Sequence, residues 1–333
     1  MAFPEPHVAD DAVDHYHDLL ERDVLPRDAV CVAAVRGLSL DEALRRIDGF
    51  RSARRSTVAD AGRAAFDAFP DELPLVVADE VDGWVLLIED NGWWAASERV
   101  LRVLSAGTVV AGAYWNVNFD STLALAVDGR VHDLDFVADK ETVDPALTTF
   151  LDGLDFADVE RSCAMALAFV ERVSGVRITE EWATSPHPAS VIADPWVFAN
   201  SARFLENNAP ELIGADVGRA AVEWACAIAG ISPDADLPAV RELHRQALEA
   251  RWDRCLPVET DRVRRLRRPG ADAAVERRLL AKAHAVRAVE ALRDGDITTV
   301  VQNACQVDQT RWPELRERLR RHQDVLEQGP QGL

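Results

Sequence analysis

Leu75-Val-Val-Ala-Asp-Glu-Val81, then Asp82-Gly83, then Trp84-Val-Leu-Leu-Ile-Glu89 is the stretch whose reading decides the fold. Two apolar, β-branched runs stand on either side of an Asp-Gly pair. Both residues accept the positive φ that a two-residue turn demands, so the pattern predicts a β-hairpin. The same signal returns at Ser121–Val127, Asp128-Gly129 and Arg130–Val137. Between the two hairpins, Thr108–Phe119 reads as one long strand. Before them, Ala29–Val35 (AVCVAAV) reads as a short buried strand closed by Arg36-Gly37. Hairpins join antiparallel neighbours, so the sheet is expected to be mainly antiparallel.

Helical patterns surround these strands. Asp11–Glu21 is one. Ser39 followed by Glu42 forms a capping-box signature for a second. Ser97–Leu104 ends at Gly107, and further helices are expected at about 144–151 and 157–174, the last stopped by Gly175. The first part of the chain is therefore α+β, a mainly antiparallel sheet with flanking helices. Residues 182–196, WATSPHPASVIADPW, carry Pro186, Pro188 and Pro195, which oppose regular hydrogen bonding. Beyond them only helix-period segments appear, at roughly 197–207, 215–229, 237–255, 271–293, 297–306 and 312–327. Val217, Ala221, Trp224, Ala225 and Ile228 form one apolar stripe. Leu279, Leu280, Ala283, Val286, Val289 and Leu292 form another. The expected organisation is an acidic α+β domain over 1–182, a proline-rich linker over 183–196 and an all-α helical bundle over 197–327.

Charge divides the chain at the same place. The 333 residues hold 37 basic and 57 acidic side chains, a net charge of −20, with 48% apolar residues. Residues 1–195 carry 36 acids and 16 bases, whereas the remainder carries 21 of each. An anionic lobe repels phosphate backbones and anionic bilayers, so nucleic-acid or membrane binding by the first part is not expected. No window reaches the roughly 18 apolar residues of a membrane span, and the acidic, proline-broken start lacks signal-peptide character. Five widely spaced cysteines without a Cys-x-x-Cys pair read as free thiols of a cytoplasmic protein.

Common catalytic signatures are missing. Neither Lys140 nor Lys282 follows a glycine, so no phosphate-binding Gly-Lys loop exists. No two glycines are spaced by one residue, which removes the dinucleotide fingerprint. His-Glu-x-x-His, Gly-x-Ser-x-Gly, EF-hand and kinase motifs are also absent. No cofactor is implied.

Several segments of the first domain resemble an uncharacterised family, a domain of unknown function widespread in actinobacteria. These are Cys31-Val-Ala-Ala-Val-Arg-Gly-Leu, Asp41-Glu-Ala-Leu-Arg-Arg-Ile, Gly83–Trp93, Leu104-Ser-Ala-Gly, Tyr114-Trp-Asn-Val-Asn118, Asp128-Gly-Arg-Val and Leu167–Thr179. The resemblance covers about residues 15–182. It implies this architecture and a cytoplasmic bacterial setting, and it brings no activity and no catalytic residue.

Four groups of residues are candidates for a site. Alternation along Thr108–Phe119 sets Val109, Ala111, Ala113, Trp115, Val117 and Phe119 on a core face, with Tyr114, Asn116 and Asn118 on a polar one. Glu89, Asn91, Trp93 and Trp94 follow the neighbouring hairpin, and aromatic walls with a few polar groups describe many ligand and peptide sites. The competing reading makes the asparagines loop ties and the tryptophans core. His132 shares a strand face with Leu134 and Phe136, while Asp133 and Asp135 point the other way, so a core histidine is favoured over a metal ligand. Asp11, Asp14, His15, His17 and Asp18 read as a solvated acidic helix face, because a transition-metal site needs converging ligands. Arg262, Arg264, Arg265, Arg267 and Arg268 precede Pro269-Gly270. They suit a solvated face, docking on an acidic domain or partner, or phosphate contacts.

The expected function is a non-catalytic protein- or peptide-interaction protein of adaptor or regulatory type, leaning away from an enzyme. The alternatives are an enzyme of unrecognised type, with Glu89, Asn116, Asn118 and His132 converging in a cleft, and a nucleic-acid regulator using Arg262–Arg268.

Overall fold

The computed structural model describes residues 3–50, 54–118, 120–137, 144–193, 203–233, 238–255 and 269–328. Contacts divide the chain into two compact units, the first spanning residues up to Ile192 and the second formed mostly of residues beyond it.

The first unit contains strands β1 (Val30–Arg36), β2 (Arg55–Ser56), β3 (Leu75–Val81), β4 (Trp84–Asp90), β5 (Val109–Trp115), β6 (Ser121–Val127), β7 (Arg130–Leu134) and β8 (His187–Val191). They form one eight-stranded sheet in the order β2-β8-β3-β4-β1-β5-β6-β7, and each pair is antiparallel. Both expected hairpins are present. Asp82 and Gly83 sit at φ 51 and 80, Asp128 and Gly129 at 51 and 78, the left-handed pair of a type I′ turn.

Both faces of the sheet are covered. On one side, Cys31, Ala33, Val35, Val85, Leu87, Val110 and Ala124 pack with α2 (Leu40–Arg46) and α4 (Glu98–Leu104). On the other, Val32, Ala34, Ile88, Ala111 and Leu125 are buried, with α1 (Ala12–Glu21), α3 (Val58–Asp67) and α6 (Ser162–Ser174) packed around that side and the short α5 (Thr148–Leu151) against α6. Each valine, leucine or isoleucine among them contributes roughly 1.5–3 kcal/mol when fully buried. Double coverage explains why AVCVAAV is continuously apolar and why a one-sided reading of β5 is incomplete.

Several expectations change. The strand beginning near Thr108 stops at Trp115, a turn begins at 117–118, and Asn116 N–H donates to the Asp120 carbonyl at 3.1 Å. Val117 is exposed as a result, and Phe119 lies outside the described residues. The strand of the second hairpin ends at Leu134 instead of Val137. Ser39 caps α2 by accepting from Glu42 N–H at 3.3 Å, but the Glu42 carboxylate does not reach back. Arg45 and Arg46 hold it instead, which pulls its pKa down to about 2, and Leu40 N–H finds Glu80 at 2.7 Å.

The proline-rich segment also differs from the expected linker. It carries α7 (Glu180–Thr184) and the regular strand β8. Ala189, Ser190 and Val191 form the ladder with β3, so Pro188 falls beyond that pairing, opposite Arg55 of the two-residue β2. A proline is tolerated there because a missing N–H costs little beside so short an edge strand. His187 strengthens the junction: Nδ1 contacts Asp79 at 2.6 Å, Nε2 contacts the Trp182 carbonyl at 2.8 Å, and the Trp182 ring stacks on it.

After Ile192 every described element is helical: α8 (Phe204–Asn208), α9 (Gly218–Ala229), α10 (Val240–Cys255), α11 (Pro269–Arg293), α12 (Ile297–Val307) and α13 (Trp312–Gln328), with short 3-10 turns. Val217, Ala221, Trp224 and Ala225 of the first stripe meet Val289, Val300, Val301 and Leu315 in one core. Gly218 permits this approach, since a Cβ there would come within 2.8 Å of Leu292 and Ile297 side chains.

Candidate functional site

The candidate residues gather at one end of the sheet, where β4 and β5 finish and β1 begins. Glu89, Cys31 and Tyr114 lie directly opposite one another across β4, β1 and β5 and share one face. Two strand spacings separate Glu89 from Tyr114, roughly 10 Å.

Glu89 is 2% exposed. Its carboxylate accepts from the backbone N–H groups of Trp94 at 3.1 Å and Ala95 at 2.7 Å, and the Cys31 thiol also bonds to it. Burial pushes its pKa up to about 7, against these hydrogen bonds, which favour the charged form. The chain reverses tightly to make this possible. Asn91 N–H donates to the Ala29 carbonyl at 3.0 Å, Asn91 takes the left-handed φ of 55, and Trp94–Ala96 forms a 3-10 turn. Position 92 has to be glycine, since a Cβ there would stand 2.5 Å from both Cβ and Oε2 of Glu89.

Asp90 points to the opposite face. Gly62 of α3 makes room for it, because a Cβ at that position would overlap the Asp90 carboxylate. Partial burial raises its pKa to about 6, and among the described residues the Asp90 side chain has no hydrogen-bond partner.

The two tryptophans have different roles. Trp94 is anchored: its indole N–H donates to the Ile47 carbonyl at 2.8 Å, its ring packs on the sheet core, and the Arg99 guanidinium lies 5.0 Å from its centroid. Trp93 is 55% exposed and meets Trp94 edge-to-face at 5.5 Å. Tyr114 is partly buried on the same core as Trp94, and its hydroxyl accepts from Asn116 Nδ2 at 2.8 Å. Asn116 is a loop tie. Nδ2 also reaches Asp120 at 2.9 Å, and Oδ1 accepts from the N–H groups of Asn118 and Asp120. Asn118 is exposed and contributes a backbone donor to that turn.

The structure thus brings Glu89, Trp94, Tyr114 and Asn116 together and leaves Asn91 and Trp93 on the surface beside them. It does not bring His132 in. His132 faces the other side of the sheet, opposite Leu125 on β7, four strands from β4 and roughly 19 Å away by strand spacing. Its Nδ1 contacts Asp144 at 2.7 Å and Phe3 packs against its ring. The cleft of Glu89, Asn116, Asn118 and His132 is therefore not formed. On α1 and around it, Asp11 and Asp14 pair with Arg177 and Arg161, Asp18 pairs with Arg22, and His15 Nε2 bonds the Ile178 carbonyl. Arg262, Arg264, Arg265, Arg267 and Arg268 lie outside the described residues.

Sequence reasoning missed Cys31, Asp90, Gly62 and Gly92. The requirement for Gly92 was readable only as a turn signal, and Gly62 meets Asp90 through the fold alone. It also missed two exposed aromatics at the end of α3, Phe66 at 74% and Phe69 at 83% exposure. In the second unit, a cavity of about 560 Å³ is bordered by Glu206, Ile213, Asp216 and Asp296. Asp296 is already engaged there, capping α12 through Thr299.

An antiparallel sheet covered by helices on both faces, with a surface tryptophan on a buried carboxylate's loop, defines this as an α+β protein. The chain belongs to a family of unknown function, DUF6461, whose model matches residues 16–187. No curated protein and no solved structure matches it. No described helix is long and apolar enough to cross a membrane.

Proposed function

We propose that this is a non-catalytic protein- or peptide-interaction protein whose partner seats on the Trp93 loop. The observation that carries the reading is the contrast between a large exposed aromatic and the fixed backbone beneath it. Two N–H groups held by Glu89 and the anchored Trp94 ring fix the peptide that bears Trp93. A side chain presented on an ordered loop loses little conformational entropy on binding, and tryptophans of this kind dominate interface energetics. Phe66 and Phe69 support the same reading as further exposed aromatics on the same unit. Like Asp90, Glu89 has a pKa raised towards neutrality. Its oxygens are occupied by backbone donors and sealed from solvent, which favours a structural role.

The partner's chemistry is set by charge. All of the net −20 falls within residues 1–195, so a cationic protein or peptide is steered towards this surface and an anionic one is repelled. A reducing, cytoplasmic setting belongs to the same proposal. All five cysteines are free, four of them buried.

The test compares native capture by the wild-type protein, Trp93→Ala and the surface control Val159→Ala. The same partner should be retained by wild type and control. Trp93→Ala should weaken it at least tenfold, about 1.4 kcal/mol. Equal capture by all three would overturn the proposal.

A further inference from the structure

We propose that Asn91 is a site of self-modification, at which the loop carrying Trp93 converts to an aspartyl or isoaspartyl form. The chemistry needs an amide side chain, a following residue without a Cβ to hinder ring closure, and a backbone nitrogen free to attack. Asn91-Gly92 is the single Asn-Gly pair in the chain. Asn91 is exposed. Among the described residues neither its side-chain amide nor the Gly92 N–H has a hydrogen-bond partner. The fold also forbids the simplest protection, a bulkier residue at 92, because its Cβ would strike Glu89.

In the reaction, Gly92 N gives up its proton and attacks Asn91 Cγ. The bond from Cγ to the side-chain nitrogen breaks, and ammonia leaves with that proton. A five-membered imide remains. Water then adds to one of its two carbonyls and breaks one C–N bond. One product is aspartate. In the other the backbone runs through Cβ and is one carbon longer. No oxidant, reductant or cofactor is required.

Three other asparagines are held in place or buried, and Asn118, though exposed, precedes a phenylalanine. Asn116 is held through both side-chain atoms, Asn208 Nδ2 donates to the Phe204 carbonyl, and Asn303 is buried. None precedes glycine.

The consequence is local. Asn91 N–H is tied to Ala29, and Trp94 and Ala95 are tied to Glu89. An extra backbone atom between these anchors displaces the N–H groups from the carboxylate and loosens Trp93. A normal aspartate adds charge and leaves the spacing intact.

The experiment incubates the purified full chain at neutral pH and maps peptides by mass spectrometry, with an isoaspartyl methyltransferase to mark the longer-backbone product. Asn91 should convert several-fold faster than Asn116, Asn118, Asn207, Asn208 or Asn303, and Asn91→Ala should yield no product in that peptide. Conversion of Asn91 no faster than Asn118 would overturn the proposal. Amide exchange at Trp94 and Ala95 should speed up in the isoaspartyl form and stay slow in Asn91→Asp; unchanged exchange in the isoaspartyl form would refute loop displacement. These readouts use the isolated protein, so they stand or fall separately from the partner experiment.

Discussion

Burial of Glu89 gives stability a definite pH dependence. Its folded pKa of about 7 lies above the value of 4.5 for a free glutamate, so between those values the native state holds more proton than the unfolded chain. Stability therefore falls as pH rises through this window and levels off above it, by about 3 kcal/mol from this group. Glu89→Gln removes the contribution, so its denaturation midpoints at pH 5 and pH 8 should lie closer together than those of the wild type. An equal pH slope in both proteins would contradict the assignment. Gly62 offers a second residue-level test. Glycine to alanine inside a helix ordinarily stabilises by up to about 1 kcal/mol. Here the added methyl meets the Asp90 carboxylate, so Gly62→Ala should destabilise by about 1–3 kcal/mol. In an Asp90→Ala background, which removes the carboxylate and leaves its Cβ, chemical denaturation should show part of that loss recovered. An undiminished penalty in that background would show that the clash lies elsewhere.

Among the elements, the loop from Asn91 to Ala96 separates presentation from anchoring. Trp93→Ala should leave stability within about 0.5 kcal/mol of wild type, because the ring is mostly solvated. Trp94→Ala loses the packed ring and its bond to Ile47, a cost on the order of 3 kcal/mol. Denaturant titration of the two variants distinguishes them, and similar losses would remove the distinction. The sequence made the hairpins legible because Asp-Gly turns act through local backbone preference. It hid β8 because Pro186 and Pro188 argue locally against a strand, while the pairing of Ala189–Val191 with β3 is made at long range. The end of β5 was misjudged for the related reason that the Asn116–Asp120 turn depends on side-chain bonds that alternation does not encode. Of the candidate site, Tyr114 was readable from strand alternation, and the asparagines and tryptophans from their places next to the expected strands. The burial of Glu89 and its bonds to Trp94 and Ala95 came from tertiary packing.

At the scale of the molecule, an anionic sheet unit and a neutral helical one share a chain. We propose that the working boundary lies after Ile192, because β8 is part of the sheet. A chain ending at 193 should unfold cooperatively, whereas one ending at 182 loses β8 and the His187–Asp79 contact and exposes the edge of β3. Dye binding and denaturation of the two truncations check this, and equal behaviour would contradict it. The proposal that a partner lands on Trp93 is tested most directly by hydrogen-exchange mass spectrometry of the full chain with and without its captured partner. Protection concentrated on residues 91–96 is the predicted result, and a footprint that leaves this loop unchanged while protecting another surface would contradict it.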